Sequence, residues 1–460
     1  MRFSITLVFV LVTFSAEGGI INRPYLKAVT QNSIYVLVEC TTSDTATADY
    51  GLSNSYGYNA RTEVISPTTA SPTTYVHKIK LAGLTPDTVY HYRASHSGSV
   101  SSDSWFRTAK PRTRDFRFAW MADSRTNSSI FDLVANLVYS KQPAFALVGG
   151  DVCVSNAYSA WQGEFFRTNA LTLISHVPFF FATGNHEGWA TNSIAFTRAP
   201  ASASNSQDYF SFDYGDVHFL VLDTEVSYTP GSPQYIFAQN DLAATTQRWK
   251  IVACHKPAYC SGGHGEDAGM KVMTTNIFEP AGVDIVFGGH SHFYQHNLVH
   301  SLHHLVIGTA GAPLYVPTNA SYTIRSIQDY NYAIADVTPT SLRLTVYNSS
   351  DVVLDTLQFT KPPTNTDEDN DMPSEFRLMQ NFPNPFNPRT TISYSLPQSS
   401  NVTLTVFNTL GQHVAALVNE QQNAGTYSTT WDAEEISSGI YFYRLQVGDF
   451  VSTKKLVLLR

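Results

Sequence analysis

The sequence predicts three folded parts, a β-sandwich at each end and a layered α/β domain between them, and three observations carry that reading. Short β-branched and aromatic runs separated by Ser, Thr, Asn, Gly and Pro clusters fill residues 20–110 and return over 376–460, the pattern of antiparallel sandwiches. Over 113–350 apolar runs instead alternate with helix-like stretches, as in a fold whose sheets are flanked by helices. An acidic, proline-bounded segment, KPPTNTDEDNDMPSE over 361–375, then separates the middle part from the last and reads as a solvated linker. Asp367, Asp369 and Asp371 within it lack the glycine turn and distal glutamate of a calcium loop.

Composition agrees. With 460 residues, 43% hydrophobic and 14% charged, the chain is long enough for several cores and is not a disordered polymer. A net charge of −8 without any basic run argues against a nucleic-acid backbone as partner. Residues 1–18 begin with Arg2, run through ITLVFVLVTF and close on Ala16-Glu17-Gly18, which reads as a cleaved signal peptide. That apolar stretch falls short of the roughly 20 residues a spanning helix needs, and no other segment comes closer, so the mature chain is expected to have no transmembrane helix. Cys40, Cys153, Cys254 and Cys260 leave every pairing open, free thiols included, and Cys254 and Cys260 lie near enough to pair locally.

In the first part, LAGLTPDTVYHYR (81–93) resembles the fibronectin type III pattern, in which a tyrosine after a Leu-Thr-Pro turn anchors a corner; Tyr90 is the matching residue. No ionisable cluster is visible between 20 and 110, so a packing or spacer role is expected there.

The middle part carries the chemistry. Successive strand-like runs end in residues able to bind metal: FRFAWMAD at Asp123, AFALVGGD at Asp151, FFFATGNH at Asn185 and His186, WKIVACH at His255, and DIVFGGHSH at His290 and His292. If these strands lie side by side, their carboxyl ends form the crevice in which open α/β sheets place ligands. Packing alone would favour apolar residues at such positions, because a buried Asp or His without a partner is costly. A mixed carboxylate, amide and imidazole set suits Fe, Zn, Mn or Co, and it is too large for one tetrahedral site, so two metals sharing a carboxylate are expected.

ADSR, GGD, GNHE, VACH and GHSH occur in the order of calcineurin-like metallophosphoesterases. With the fibronectin-like part in front, residues 20–350 resemble purple acid phosphatases. The resemblance implies two divalent or trivalent ions (Fe, Zn or Mn) bridged by Asp151, the first also bound by Asp123 and His292, the second by Asn185, His255 and His290. It implies that His186 faces the substrate phosphate and that His264, in PAYCSGGHGED, is a second substrate histidine. Two cations would neutralise the phosphate oxygens and supply hydroxide for in-line attack, with an imidazole protonating the leaving oxygen. The expected reaction is hydrolysis of phosphate monoesters. A phosphodiesterase or nucleotide hydrolase on the same site, and a catalytically weakened surface binding protein, are the alternatives.

Two positions depart from the family. GDVCV puts Val154 where purple phosphatases carry a metal-binding tyrosine, and Arg125 stands where the other branch of the superfamily carries a histidine ligand. Arg125 can grip phosphate directly or serve in a salt bridge. Cys153 can add a thiolate or simply fill the core. Glu187 is expected either to orient a ligand or to lie on the surface. His296, His300, His303 and His304 are read as solvated or packing residues, Trp161, Phe165 and Phe166 as core, and Tyr294 as pocket lining or packing.

The tail segments NFPNPFNPRTTISYSLP, VFNTLGQHVAALV, SGIYFYRL and TKKLVLLR resemble the C-terminal sorting domain of the type IX (Por) secretion system, an immunoglobulin-like sandwich. This implies a Gram-negative cell, passage through the periplasm, the outer-membrane secretion machinery as partner, and release or attachment at the cell surface.

Overall fold

The computed structural model describes residues 19–112, 114–198, 208–362, 376–381 and 383–459. The expected signal peptide and residues 363–375 of the expected linker lie outside the described residues. The chain forms two compact units, Met1–Lys361 and Pro362–Arg460. Lys361 still belongs to the first: its ammonium lies 2.7 Å from Asp284 Oδ1 and over the Trp249 ring.

Within the first unit the N-terminal strands do not close off as a separate body. The strand Tyr25–Lys27 pairs antiparallel with Ser33–Cys40 and, through Lys27 and Phe179, parallel with Phe179–Phe181, so one 14-stranded sheet runs through both parts. One apolar core accordingly joins Leu26, Val36 and Ile79 to Phe118, Leu147 and Phe219. Tyr90 anchors its corner as the resemblance implies, its hydroxyl accepting the Thr85 N–H at 3.0 Å.

The central layers are two sheets packed face to face. Phe116–Met121, Phe145–Val148 and Phe179–Phe181 are parallel neighbours in the first; Val217–Val221, Trp249–Ala253 and Ile285–Gly288 are parallel neighbours in the second. Alternation assigns the faces. Phe118 meets Phe219 edge-on at 5.2 Å and Trp120 stacks on Phe287 at 5.0 Å between the sheets, while Ala119 and Met121 join Phe131, Val134 and Val138 of the outer helix Ser128–Ser140. The helices Pro233–Ala244 and Ala268–Met273 cover the second sheet through Ala238, Leu242 and Met270. Strands buried on both faces read as unbroken apolar runs, which is why the sequence shows them so clearly.

One expectation changes here. The five ligand-bearing strands do not lie side by side in one sheet: three belong to the first sheet and two to the second. Each sheet has an apolar inner face, and mutual burial brings the sheets together so that their carboxyl ends share a rim. Trp161, Phe165 and Phe166 are buried in the outer core, as expected.

The second sheet also holds a pH-dependent element. His218 is buried with Nδ1 2.7 Å from Asp213 and Nε2 2.7 Å from Asp241. Burial alone would lower its pKa, but the two carboxylates overcome that and raise it to about 9. A raised histidine pKa stabilises the fold fully below the unfolded value of about 6.5, and the contribution fades as pH rises through about 9. His218→Gln is therefore expected to destabilise by about 2 kcal/mol at pH 6 and by much less at pH 10, measured by urea unfolding at both.

The second unit is a sandwich of a three-stranded sheet (Arg377–Leu378, Arg389–Leu396, Gly425–Asp432) and a four-stranded one (Ser400–Asn408, His413–Gln422, Gly439–Val447, Phe450–Leu458). Ile392, Tyr394 and Trp431 pack against Leu404, Val406, Tyr443 and Leu456 between them, the immunoglobulin-like architecture expected for the tail.

Candidate metal centre

At the shared rim the chain leaves three strands through strained turns. Asp123, Asp151 and His290 all adopt positive φ, at 52°, 53° and 67°. Asp and His tolerate this region better than most residues, yet it costs on the order of 1–3 kcal/mol each, and such strain gathers at functional sites. Glycines make room for the carboxylates. A Cβ on Gly184 would lie 2.3 Å from Asp151 Oδ1, and one on Gly289 2.4 Å from Asp123 Oδ2. Gly289 is thus the residue that lets DIVFGGHSH reach the first sheet, where the His290 N–H donates to Asp123 Oδ2 at 2.9 Å.

The imidazoles are fixed as acceptors. His255 Nδ1–H donates to the Gly149 carbonyl at 2.8 Å, so Nε2 presents a lone pair. That lone pair faces Asn185 Oδ1 at 3.2 Å and Asp151 Oδ1 at 3.5 Å, with His290 Nδ1 3.2 Å away. Acceptors converging in this way repel one another unless a cation lies among them, and the ligand atoms of Asp151, His255 and His290 all fall within 4.8 Å of one another. Burial, reinforced by His255 and His264, lowers the His290 pKa to about 2, leaving a neutral ring able to coordinate. The donor set fits one cation held by Asp151, Asn185, His255 and His290.

The neighbouring position is shared. His292 Nδ1–H donates to the Pro313 carbonyl at 2.7 Å, which turns the Nε2 lone pair toward Asp123 Oδ1 at 3.5 Å. Burial lowers the His292 pKa to about 4 despite that carbonyl and pushes the Asp123 carboxyl well above the usual range. Asp123 Oδ1 is buried without a hydrogen bond, an orphan that suits a cation. Arg125 also reaches this place, however: Nη2 is 3.4 Å from His292 Nε2 and Nε is 3.5 Å from Asp151 Oδ2. The guanidinium thereby touches His292 at this position and Asp151 of the neighbouring group.

Around this core lie the remaining predicted residues. His186 has 30% of its side chain exposed; its Nδ1–H donates to the Val154 carbonyl at 2.8 Å and its Nε2 is 3.7 Å from Asp151 Oδ2. Glu187 is buried and accepts the N–H groups of Asp151 and Gly184 at 2.9 and 2.8 Å, clamping two ligand loops together; burial and then Asp151 raise its pKa. His264 stacks on His290 with centroids 4.2 Å apart, and burial, then His292 and Arg125, lower its pKa.

Two participants carry no signal in the sequence. Tyr315 stacks on His292 at 4.2 Å, and its hydroxyl lies 3.3 Å from His264 Nε2, linking the two histidines. Glu164 accepts the N–H groups of Thr126 and Val154 at 2.9 Å each, tying the Arg125 turn to the GDVCV turn. Val154 itself points outward, 45% exposed.

Other candidates fall away. Cys153 is buried filler outside the cluster, its thiol pushed up by burial and by Glu187, and the four cysteines are free thiols, so Cys254 and Cys260 form no disulfide. Tyr294 is buried and donates to Asp355 at 2.7 Å, a packing role. His296 pairs with His303 at 2.8 Å, His304 is buried, and exposed His300 meets Glu279.

Comparison with known proteins adds to this geometry. Residues 116–294 match the calcineurin-like phosphoesterase family, and residues 380–459 match the secretion system C-terminal sorting domain. Curated relatives include purple acid phosphatase 15 of Arabidopsis thaliana, 28% identical over 265 residues (48% of this chain, 49% of the relative). Purple acid phosphatase 23 of the same plant is 28% identical over 304 residues (56% and 64%), and phosphoenolpyruvate phosphatase of Allium cepa 26% over 303 (58% and 62%). The chain spans about half to two thirds of the length of these relatives. Among solved structures, the purple acid phosphatase PPD1 from yellow lupin (Lupinus luteus) seeds shares the fold at a TM-score of 0.65 and 20% identity, covering 75% of this chain and 74% of that one. PhoD does so at 0.53 and 12%, covering 77% and 94%. The sorting domain directs the chain to the cell surface or the extracellular space, and no helix among the described residues is long and apolar enough to cross a membrane.

Proposed function

With residues 116–294 forming a calcineurin-like phosphoesterase domain, we propose that this exported chain is a metal-dependent phosphatase hydrolysing phosphate monoesters. The observation that carries the reading is the convergence of Asp151, Asn185, His255 and His290 on one point, with Arg125 and His186 beside it. Bound metal supplies Lewis acidity toward the phosphoryl oxygens and lowers the pKa of coordinated water.

The chain's own side chains provide the rest. The Arg125 guanidinium, only 11% exposed, is a fixed cation whose fork matches two phosphate oxygens. His186, anchored through Nδ1, holds Nε2 toward the rim, where a proton on that nitrogen passes to the leaving oxygen. His264 and Tyr315 close the opposite side as neutral hydrogen-bonding groups for the ester.

A one-metal form of this enzyme is favoured by a specific observation, the Arg125 nitrogens beside His292 Nε2 and Asp151 Oδ2, where they stand in for the charge of a first ion. One experiment separates the readings: assay of the purified chain on p-nitrophenyl phosphate and bis(p-nitrophenyl) phosphate with Fe, Zn and Mn, alongside metal per chain for wild type and His292→Ala. Faster monoester turnover is expected. Loss of one metal per chain in the variant marks a dinuclear centre, and equal metal in both marks the Arg125 form. Faster diester turnover would make it a phosphodiesterase, and no turnover with any metal would leave a binding protein.

A further inference from the structure

The N-terminal sandwich buries metal-ligating side chains that the phosphatase site does not use. Along Ser33–Cys40 the inward positions are Ile34, Val36, Val38 and Cys40; along the antiparallel neighbour Tyr75–Ala82 they are Leu81, Ile79 and His77, with Val38 and His77 directly paired. Directly opposed residues share a face, so Cys40 and His77 project together. On Val89–His96, packed against the same core, the inward row is Tyr90, Tyr92, Ala94 and His96. The first and third rows are apolar or aromatic until their last members, Cys40 and His96, and the second carries His77 one place before its end at Tyr75, which is paired with Cys40.

Cys40 and His77 are 0% exposed and His96 is 2% exposed. One ligand atom from each lies within 4.8 Å of those of the other two, and the imidazole centroids are 5.2 Å apart. Thr42 fixes both tautomers. Its carbonyl, which can only accept, lies 3.0 Å from His77 Nε2, so that nitrogen carries the hydrogen. Its hydroxyl donates to Asp44 Oδ2 at 2.9 Å and therefore accepts from His96 Nε2 at 3.3 Å. Both rings are left with an Nδ1 lone pair; that of His77 faces the Thr62 hydroxyl at 3.2 Å, and that of His96 is buried with no hydrogen-bond partner. A backbone and hydroxyl partner on the outer nitrogen is the arrangement that orients metal-binding histidines.

We propose that Cys40, His77 and His96 bind one zinc ion that ties the two strand layers of the N-terminal sandwich together, independently of the phosphatase centre. One thiolate with two imidazoles suits Zn, and full burial suits a structural role. Without metal, burial and Glu39 hold the Cys40 thiol up near 12, while burial keeps His77 below its ordinary value; coordination deprotonates the thiol.

The test is titration of the metal-stripped full chain with Co2+ under a non-thiol reductant. Thiolate coordination produces a charge-transfer band in the near ultraviolet that the oxygen and nitrogen ligands of the phosphatase centre cannot give. The band is expected to plateau at the intensity of one thiolate-bound Co2+ per chain, to be bleached by Zn2+, to persist in Cys153→Ser and to vanish in Cys40→Ser, which keeps its activity on p-nitrophenyl phosphate. Absence of the band in the wild type with Co2+ in excess overturns the proposal, even if Cys40→Ser fails to fold. Persistence of the band in Cys40→Ser overturns it as well.

Discussion

Asp151→Asn is expected to reduce kcat/KM for a phosphate monoester on the order of 10³-fold or more and to strip metal from the purified protein. The Asp151 carboxylate has both oxygens engaged: Oδ1 accepts the His186 N–H at 2.9 Å and faces His255 Nε2 at 3.5 Å, while Oδ2 lies 3.5 Å from Arg125 Nε. Asparagine keeps the shape and tolerates the positive φ of 53° at this position, so the turn is expected to survive. What it removes is the negative charge, leaving Arg125 uncompensated and the acceptors of Asn185 and His255 without the anion that draws a cation to them. Unchanged circular dichroism with lost metal and lost activity is the expected combination. Near-normal turnover would show that Asp151 is not at the centre of the chemistry.

His186→Ala is expected to lower kcat by about 10²- to 10⁴-fold with metal content unchanged. His186 reaches the rim through a hydrogen bond from Nδ1 to the Val154 carbonyl, and its 30% exposure contrasts with the buried His255 and His292. A residue that protonates the leaving oxygen matters most when that oxygen is basic. The loss should therefore be large for an alkyl phosphate and small for p-nitrophenyl phosphate, whose leaving group departs without help. Equal losses on both would instead assign His186 to phosphate binding, and loss of metal would make it a ligand.

The candidate ligand residues were readable in the sequence for a local reason. Strands buried on both faces are unbroken apolar runs, so an Asp, Asn or His directly after such a run stands out, as Asp123, Asp151, Asn185, His255 and His290 do. The glycines of DIVFGGHSH were equally visible, but their purpose was not: Gly289 is needed because the Asp123 carboxylate of the other sheet occupies the space a Cβ would fill. Tyr315 and Glu164 had no signature because a half-buried loop tyrosine and a helical glutamate are common. Only their contacts with His264, His292 and two backbone turns distinguish them.

The sequence by itself determined the architecture of each part, the strand ends that carry ligands, and the two departures at Arg125 and Val154, because periodicity and residue type are local properties. Tertiary structure alone decided that these strand ends divide between two facing sheets, that the Arg125 guanidinium turns toward His292 and Asp151, and that Cys40, His77 and His96 meet. The last were invisible as a cluster, since Cys40, His77 and His96 lie on three separate strand-like runs far apart in the sequence. Strand pairing and the packing of one layer on another set those encounters, and both depend on long-range register that no short stretch of sequence contains.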